Sequence, residues 1–147
     1  MAANSVLGAT SRALLIQLSD IHFLKPSDAV LKRTVEIAAA VQPLLPLATR
    51  VILAVTGDIA QAGKLAEYEL AKGFINAIAT DIKSRHGEAP DIITVPGNHD
   101  ADFDSPRTRV RTRVLKTLSA EPASSIELED VEECVSIFDA YEAFATD

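Results

Sequence analysis

Apolar residues along the chain form three short runs and four longer, more widely spaced patterns. The short runs are Ala13–Leu18, residues 51–55 and Asp91–Val95. Their length and aliphatic content predict buried strands. The longer patterns cover residues 29–41, 64–82, 106–119 and 126–145. Their apolar positions recur at about helical spacing and predict amphipathic helices. The order β-α-β-α-β followed by two helices predicts an α/β fold with parallel strands and right-handed crossovers.

Each predicted strand stops at polar residues that are able to bind a metal. Asp20 and His22 follow the first strand, Asp58 follows the second, and Asn98, His99 and Asp100 follow the third. Parallel strands bring their carboxyl ends to one edge of a sheet, where α/β proteins bind ligands. We therefore expect these groups to meet at that edge. In the alternative interpretation, Asn98 and Asp100 only supply turn geometry. This alternative is weakened because all three strands are followed by residues that can bind a metal.

Composition and charge narrow the class of protein. An apolar content of 48% with 24% charged residues in 147 residues is typical of one globular domain. The net charge of −7 argues against a protein that coats nucleic acid, because phosphate binding depends on a basic surface. The single cysteine, Cys134, excludes an internal disulfide and fits a reducing compartment. We expect residues 1–12 to be flexible and the protein to be cytoplasmic, without a signal peptide or membrane association.

Three motifs, in this order and each after a strand, resemble those of the calcineurin-like metallophosphoesterases. They are Asp20-Ile21-His22, Gly57-Asp58 and Gly97-Asn98-His99-Asp100. The resemblance implies a four-layer α-β-β-α sandwich, of which this chain would form the first half. Gly57-Asp58-Ile59-Ala60 followed by Gly63 and Glu67-Tyr68 is most similar to the bacterial phosphodiesterase-like branch.

The resemblance also implies the chemistry of the site. It implies two divalent ions (Mn, Fe or Zn) with a bridging hydroxide that attacks a phosphoester, and in this branch a phosphodiester such as a nucleotide. The metal ligands would be Asp20 and His22 on the first ion, Asp58 as the bridge and Asn98 on the second ion. His99 would act beside the metals as a general acid, with Asp100 orienting its ring. Two such ions clamp the attacking and leaving oxygens of an in-line displacement.

The sequence departs from the family pattern after His99. Family members carry a further histidine and then Gly-His-x-His, whereas no histidine follows His99 here. We therefore expect residues 1–147 to be the N-terminal part of a single domain whose C-terminal half is absent. A further C-terminal region or a second chain would complete the site, and the sequence leaves open whether this chain is active alone. The alternative is a non-catalytic binding or assembly module. A nucleotide-binding regulator is a third hypothesis, which no glycine-rich phosphate loop supports.

Three charged features have more than one interpretation. The helix over residues 106–119 carries Arg107, Arg109, Arg111 and Arg113. These arginines are either solvated, or one pair of them holds a substrate phosphate. The last predicted helix has an acidic face, which is either solvated or turned towards a basic partner. His86 is expected in a solvated loop over residues 83–90, and the alternative, a role as a ligand, is less favoured.

Overall fold

A parallel sheet of three strands lies at the centre of the fold. The computed structural model describes residues 11–120 and 127–146. The strands are β1 (Ala13–Leu18), β2 (Arg50–Thr56) and β3 (Asp91–Val95), and β2 lies between the other two. Ile52 of β2 pairs with Leu15 on one side and with Asp91 on the other. The predicted parallel α/β architecture is confirmed, and all three strands end at the same edge of the sheet.

Five α-helices occur in the described part of the chain. They are α1 (Thr34–Val41), α2 (Leu65–His86), α3 (Thr108–Ala120), α4 (Leu128–Val135) and α5 (Asp139–Ala145). Helix α1 follows β1, α2 follows β2, and the other three follow β3. None of the described helices combines the length and the apolar character that crossing a membrane requires.

The predicted bounds of the helices were wrong in several places. The segment over residues 29–41 begins as a 3₁₀ turn (Ala29–Lys32) and becomes α-helical only at Thr34. The third predicted helix begins at Thr108 rather than at residue 106. Helix α2 continues beyond residue 82 to His86, so this histidine is not in a loop. Its Nε2 lies 3.1 Å from the carbonyl oxygen of Ala48.

The last predicted helix, over residues 126–145, was also wrong. Its first residue lies outside the described residues, and a 3₁₀ turn (Ser136–Phe138) separates α4 from α5. Ile137 in this turn is buried, and its carbonyl oxygen accepts a hydrogen bond of 2.8 Å from the backbone nitrogen of Asp102. The helix is thus interrupted at the turn that contacts this distant loop.

The helices cover one face of the sheet and leave the other open. Val51, Leu53 and Val55 of β2 point into the core with Phe74 and Ile78 of α2. Successive side chains of a strand point to opposite faces. The other face therefore carries Leu15, Ile93 and Val95, which are 61%, 50% and 50% exposed.

The N-terminal segment is described only in part. Residues 1–10 of the segment predicted to be flexible lie outside the described residues. Arg12 accepts a hydrogen bond of 2.8 Å at its carbonyl oxygen from the backbone nitrogen of Thr49. This bond holds the residue before β1 beside the residue before β2.

Candidate metal centre

Asp20, His22 and Asp58 come together at the carboxyl edge of the sheet. Each of them offers one ligand atom, and these three atoms lie within 4.8 Å of one another. Donors at about 2.1 Å from a single ion are separated by up to about 4.2 Å, so only a small side-chain adjustment is needed to surround one. Two carboxylates and an imidazole suit Mn, Fe or Zn. The structure thus brings three of the predicted ligands into one group.

Backbone hydrogen bonds hold the first two ligand loops side by side. The backbone nitrogen of Asp20 donates to the carbonyl oxygen of Gly57 at 3.2 Å. The backbone nitrogen of His22 donates to the backbone carbonyl oxygen of Asp58 at 2.9 Å. Phe23 and Ala60 form a parallel bridge just beyond. These contacts extend the pairing of β1 and β2 past the strand ends, so the separation of the ligands is set by the backbone.

The three candidate ligands share an unusual backbone conformation. Asp20, His22 and Asp58 have φ angles of 55°, 54° and 51°, and in the described part of the chain no other non-glycine residue has a positive φ. Such a conformation costs an L-residue about 1–2 kcal/mol. Strain of this kind clusters at functional sites, where the surrounding structure maintains it.

A buried ring nitrogen indicates that these residues fit a metal ion. Nδ1 of His22 is buried and has no hydrogen-bond partner among the described residues. Leaving a buried polar atom unpaired costs about 1–3 kcal/mol. A cation coordinated by this nitrogen would remove that cost, and imidazole is a common ligand for the divalent ions named above.

The loop after β3 joins this group through His99. The backbone nitrogen of His99 donates to Oδ1 of Asp58 at 2.9 Å. Its ring packs edge-on against the ring of His22, with 4.6 Å between the centroids. Asn98, the residue before it, has an exposed side chain. The third loop thus places the His99 imidazole beside this group, whereas the part of Asn98 as a ligand stays a prediction.

Comparison with known proteins agrees with this arrangement. The family model for calcineurin-like phosphoesterases matches residues 14–145. The chain belongs to the calcineurin-like phosphoesterase family. The match continues beyond Asp102, where the resemblance of the motifs ended, and includes α3 to α5. No protein with a curated description matches the chain significantly.

Membership of the phosphoesterase family determines the fold and the general chemistry. The three-stranded sheet and its helices correspond to the N-terminal half of the metallophosphoesterase fold. The family implies metal-dependent hydrolysis of phosphoesters, and Asp20, His22 and Asp58 form a possible metal-ligand group. A second ion and a bridging hydroxide stay predictions.

Gln61 contacts the ring of His99 in this phosphoesterase. Nδ1 of His99 lies 2.9 Å from the carbonyl oxygen of Gln61. Because a carbonyl oxygen can only accept, Nδ1 carries the proton in this contact. The described partner of this ring nitrogen is therefore a backbone carbonyl and not Asp100. A backbone acceptor gives no signal in the sequence, so sequence reasoning missed it.

Asp100 is fully buried and binds backbone groups of two loops. Its carboxylate accepts hydrogen bonds from the backbone nitrogens of Ile59, Ala60 and Gly97 at 3.1, 2.8 and 2.8 Å. The hydroxyl of Tyr68 donates the fourth bond, at 3.0 Å. Burial, followed by the charge of Asp100, raises the pKa of Tyr68 above its ordinary value, so this hydroxyl stays protonated.

Two arginines, Arg107 just before α3 and Arg113 within it, face acidic residues of the helices that follow. Arg107 forms an ion pair with Asp139, and Arg113 lies 3.4 Å from Asp130. The guanidinium carbon of Arg111 lies 5.7 Å from the ring centroid of Phe103. Two residues of the acidic face predicted for the last helix, Asp130 and Asp139, therefore have basic partners within the phosphoesterase itself. Binding of a substrate phosphate by these arginines stays a prediction.

Proposed function

We propose that this chain supplies a metal-dependent site for the hydrolysis of phosphodiesters. The observation that carries the proposal is the grouping of Asp20, His22 and Asp58 within 4.8 Å in a calcineurin-like phosphoesterase. Asp20 and His22 hold the first ion, Asp58 is shared between two ions, and the amide oxygen of Asn98 binds the second. When bound, divalent cations lower the pKa of water and offset the charge that develops on the phosphoryl oxygens.

His99 acts on the leaving group in this proposal. Its ring is held by the contact of Nδ1 with Gln61, and it packs beside His22 rather than in the group of three ligands. A protonated ring carries a second proton at Nε2 and can pass it to the leaving oxygen. The backbone bond from His99 to Asp58 keeps the proton donor next to the shared carboxylate.

Replacing Asp58 tests the role of the metal. We expect the 147-residue chain to bind Mn²⁺ and to hydrolyse bis(p-nitrophenyl) phosphate, and Asp58→Asn to lose both because an amide lacks the charge of the shared carboxylate. Metal analysis and the release of nitrophenol measure the two effects. Asp104→Asn is the control, since this carboxylate is 84% exposed and its described ion pair is with Lys64 at 3.2 Å.

The results separate the proposed function from its alternatives. Unchanged Mn²⁺ binding in Asp58→Asn would remove Asp58 from the ligand set. A wild-type chain without metal and without turnover would favour the non-catalytic module. Metal binding without turnover would show that another region or a second chain must complete the site.

Replacing His99 tests the proton donor separately. We expect His99→Ala to keep the Mn²⁺ affinity of the wild type and to lower kcat by about 10²–10⁴-fold, the usual contribution of a general acid. Metal titration and steady-state kinetics on the same samples make the comparison. If metal binding falls together with kcat, His99 is a ligand rather than a proton donor.

A further inference from the structure

Tyr68 connects helix α2 with the loops that follow β2 and β3 through the buried carboxylate of Asp100. Its hydroxyl lies 3.0 Å from Oδ1 and 3.2 Å from the backbone oxygen of Asp100. Tyr68 is 2% exposed and Asp100 is fully buried. A buried carboxylate is stable only if its oxygens are well provided with donors. The hydroxyl is one of the four described donors that hold the carboxylate of Asp100 in place.

The backbone amides that donate to Asp100 belong to residues next to the candidate metal ligands in the sequence. Ile59 and Ala60 directly follow Asp58, and Gly97 comes just before Asn98 and His99. In the opposite direction, Oδ1 of Asp58 accepts a hydrogen bond from the backbone nitrogen of His99. Each of the two loops thus contributes a carboxylate that binds backbone nitrogen atoms of the other loop. A shift of Asp100 would move both loops.

We propose that Tyr68 and Asp100 are positioning residues of the metal centre, which set the distance between the loops that carry Asp58 and His99. The proposal rests on the proposed function insofar as these loops bind metal. Hydrogen-bond partners behind a metal ligand orient it, and losing one lowers metal affinity by about 10–100-fold. Tyr68 does not contact a ligand directly. It binds Asp100, which in turn binds the loops that carry the ligands.

The aromatic cluster around Tyr68 supplies a matched pair of variants. Tyr68 stacks on Phe144 at 5.1 Å between the ring centroids and lies 6.3 Å from Tyr141. The hydroxyl of Tyr141 lies 3.0 Å from Oγ1 of Thr94 in β3. Tyr68→Phe and Tyr141→Phe each remove one oxygen from the same cluster and keep the ring. They differ in whether the lost hydroxyl bound Asp100.

We expect the two variants to differ in Mn²⁺ affinity and in loop protection. Tyr68→Phe should weaken Mn²⁺ binding by about 10-fold or more, whereas Tyr141→Phe should bind as the wild type does. In the metal-free chain, Tyr68→Phe should speed hydrogen exchange at the amides of Ile59, Ala60, Gly97 and His99. Paramagnetic resonance of Mn²⁺ gives the affinity, and two-dimensional NMR follows exchange at each amide.

The outcomes decide the proposal independently of catalysis. Equal loss of affinity in both variants, or unchanged exchange in the loops of Tyr68→Phe, would overturn it. A wild-type chain that binds no Mn²⁺ would refute the proposed function, while the exchange comparison would still show whether Tyr68 positions the loops. Asp100→Asn is the less useful variant, because it replaces a buried charge that has four donors and can unfold the chain.

Discussion

Asp20, His22 and Asp58 bring their ligand atoms together with left-handed backbone conformations. Each conformation costs a residue of this kind about 1–2 kcal/mol, so neighbouring contacts must hold it. Two such contacts are the backbone bonds that Asp20 and His22 donate to the loop after β2. The left-handed conformations therefore lower the stability of the loops after β1 and β2. The positions of the ligands depend on the hydrogen bonds that surround them.

Gly97 is required at its position because Asp58 occupies the space that a side chain would need. A methyl group on Gly97 would lie 2.5 Å from the backbone nitrogen of Asp58 and closer still to its Oδ1. We expect Gly97→Ala to lower the free energy of unfolding by about 1–3 kcal/mol, the usual cost of overpacking. It should also weaken Mn²⁺ binding, since the carboxylate must move. Urea denaturation and metal titration measure the two effects.

The same substitution elsewhere in the chain is the control. Gly73 lies inside α2 with nothing within 4 Å of the added methyl group. Gly73→Ala should raise the free energy of unfolding by about 0.5–1 kcal/mol, because alanine favours a helix interior, and should leave metal binding unchanged. Wild-type Mn²⁺ affinity in Gly97→Ala would contradict the close packing of Gly97 on the ligand.

At the scale of elements, strands could be predicted from the sequence more accurately than helices. The bounds of β1 and β3 agree with the prediction, because each apolar run is enclosed by polar residues or turns. Helix α2 runs beyond its last buried residue, Ile82, through polar residues to Gly87, where a φ of 97° ends it. Apolar spacing gives no information about that polar last turn.

Contacts between distant segments set the remaining limits of prediction. The break between α4 and α5 lies where Asp102 binds Ile137, and no local pattern indicates this contact. Residue type and strand order were enough to predict that Asp20, His22 and Asp58 would meet. They could not indicate the bond from Tyr68 to Asp100, since it joins residues 32 positions apart through a hydroxyl.

At the scale of the whole molecule, the two faces of the sheet differ sharply. Helices cover the face that carries Leu53 and Val55, which are fully buried. On the other face, Leu15 pairs with Ile52, and Ala54 pairs with Ile93, so apolar side chains continue across all three strands. Contiguous apolar surface of this kind binds other apolar surfaces and promotes association.

This open face predicts how the 147-residue chain behaves in solution. We expect it to bind the dye ANS and to self-associate, and Leu15→Lys to reduce both because a charge would interrupt the apolar surface. Leu15 is 61% exposed, so the free energy of unfolding should change by less than about 1 kcal/mol. Dye fluorescence and sedimentation velocity measure the effect. Val35→Lys is the control. Val35 is 67% exposed on α1, so this substitution adds the same charge away from the sheet. An equal decrease in both variants would show that net charge, and not the sheet face, controls association.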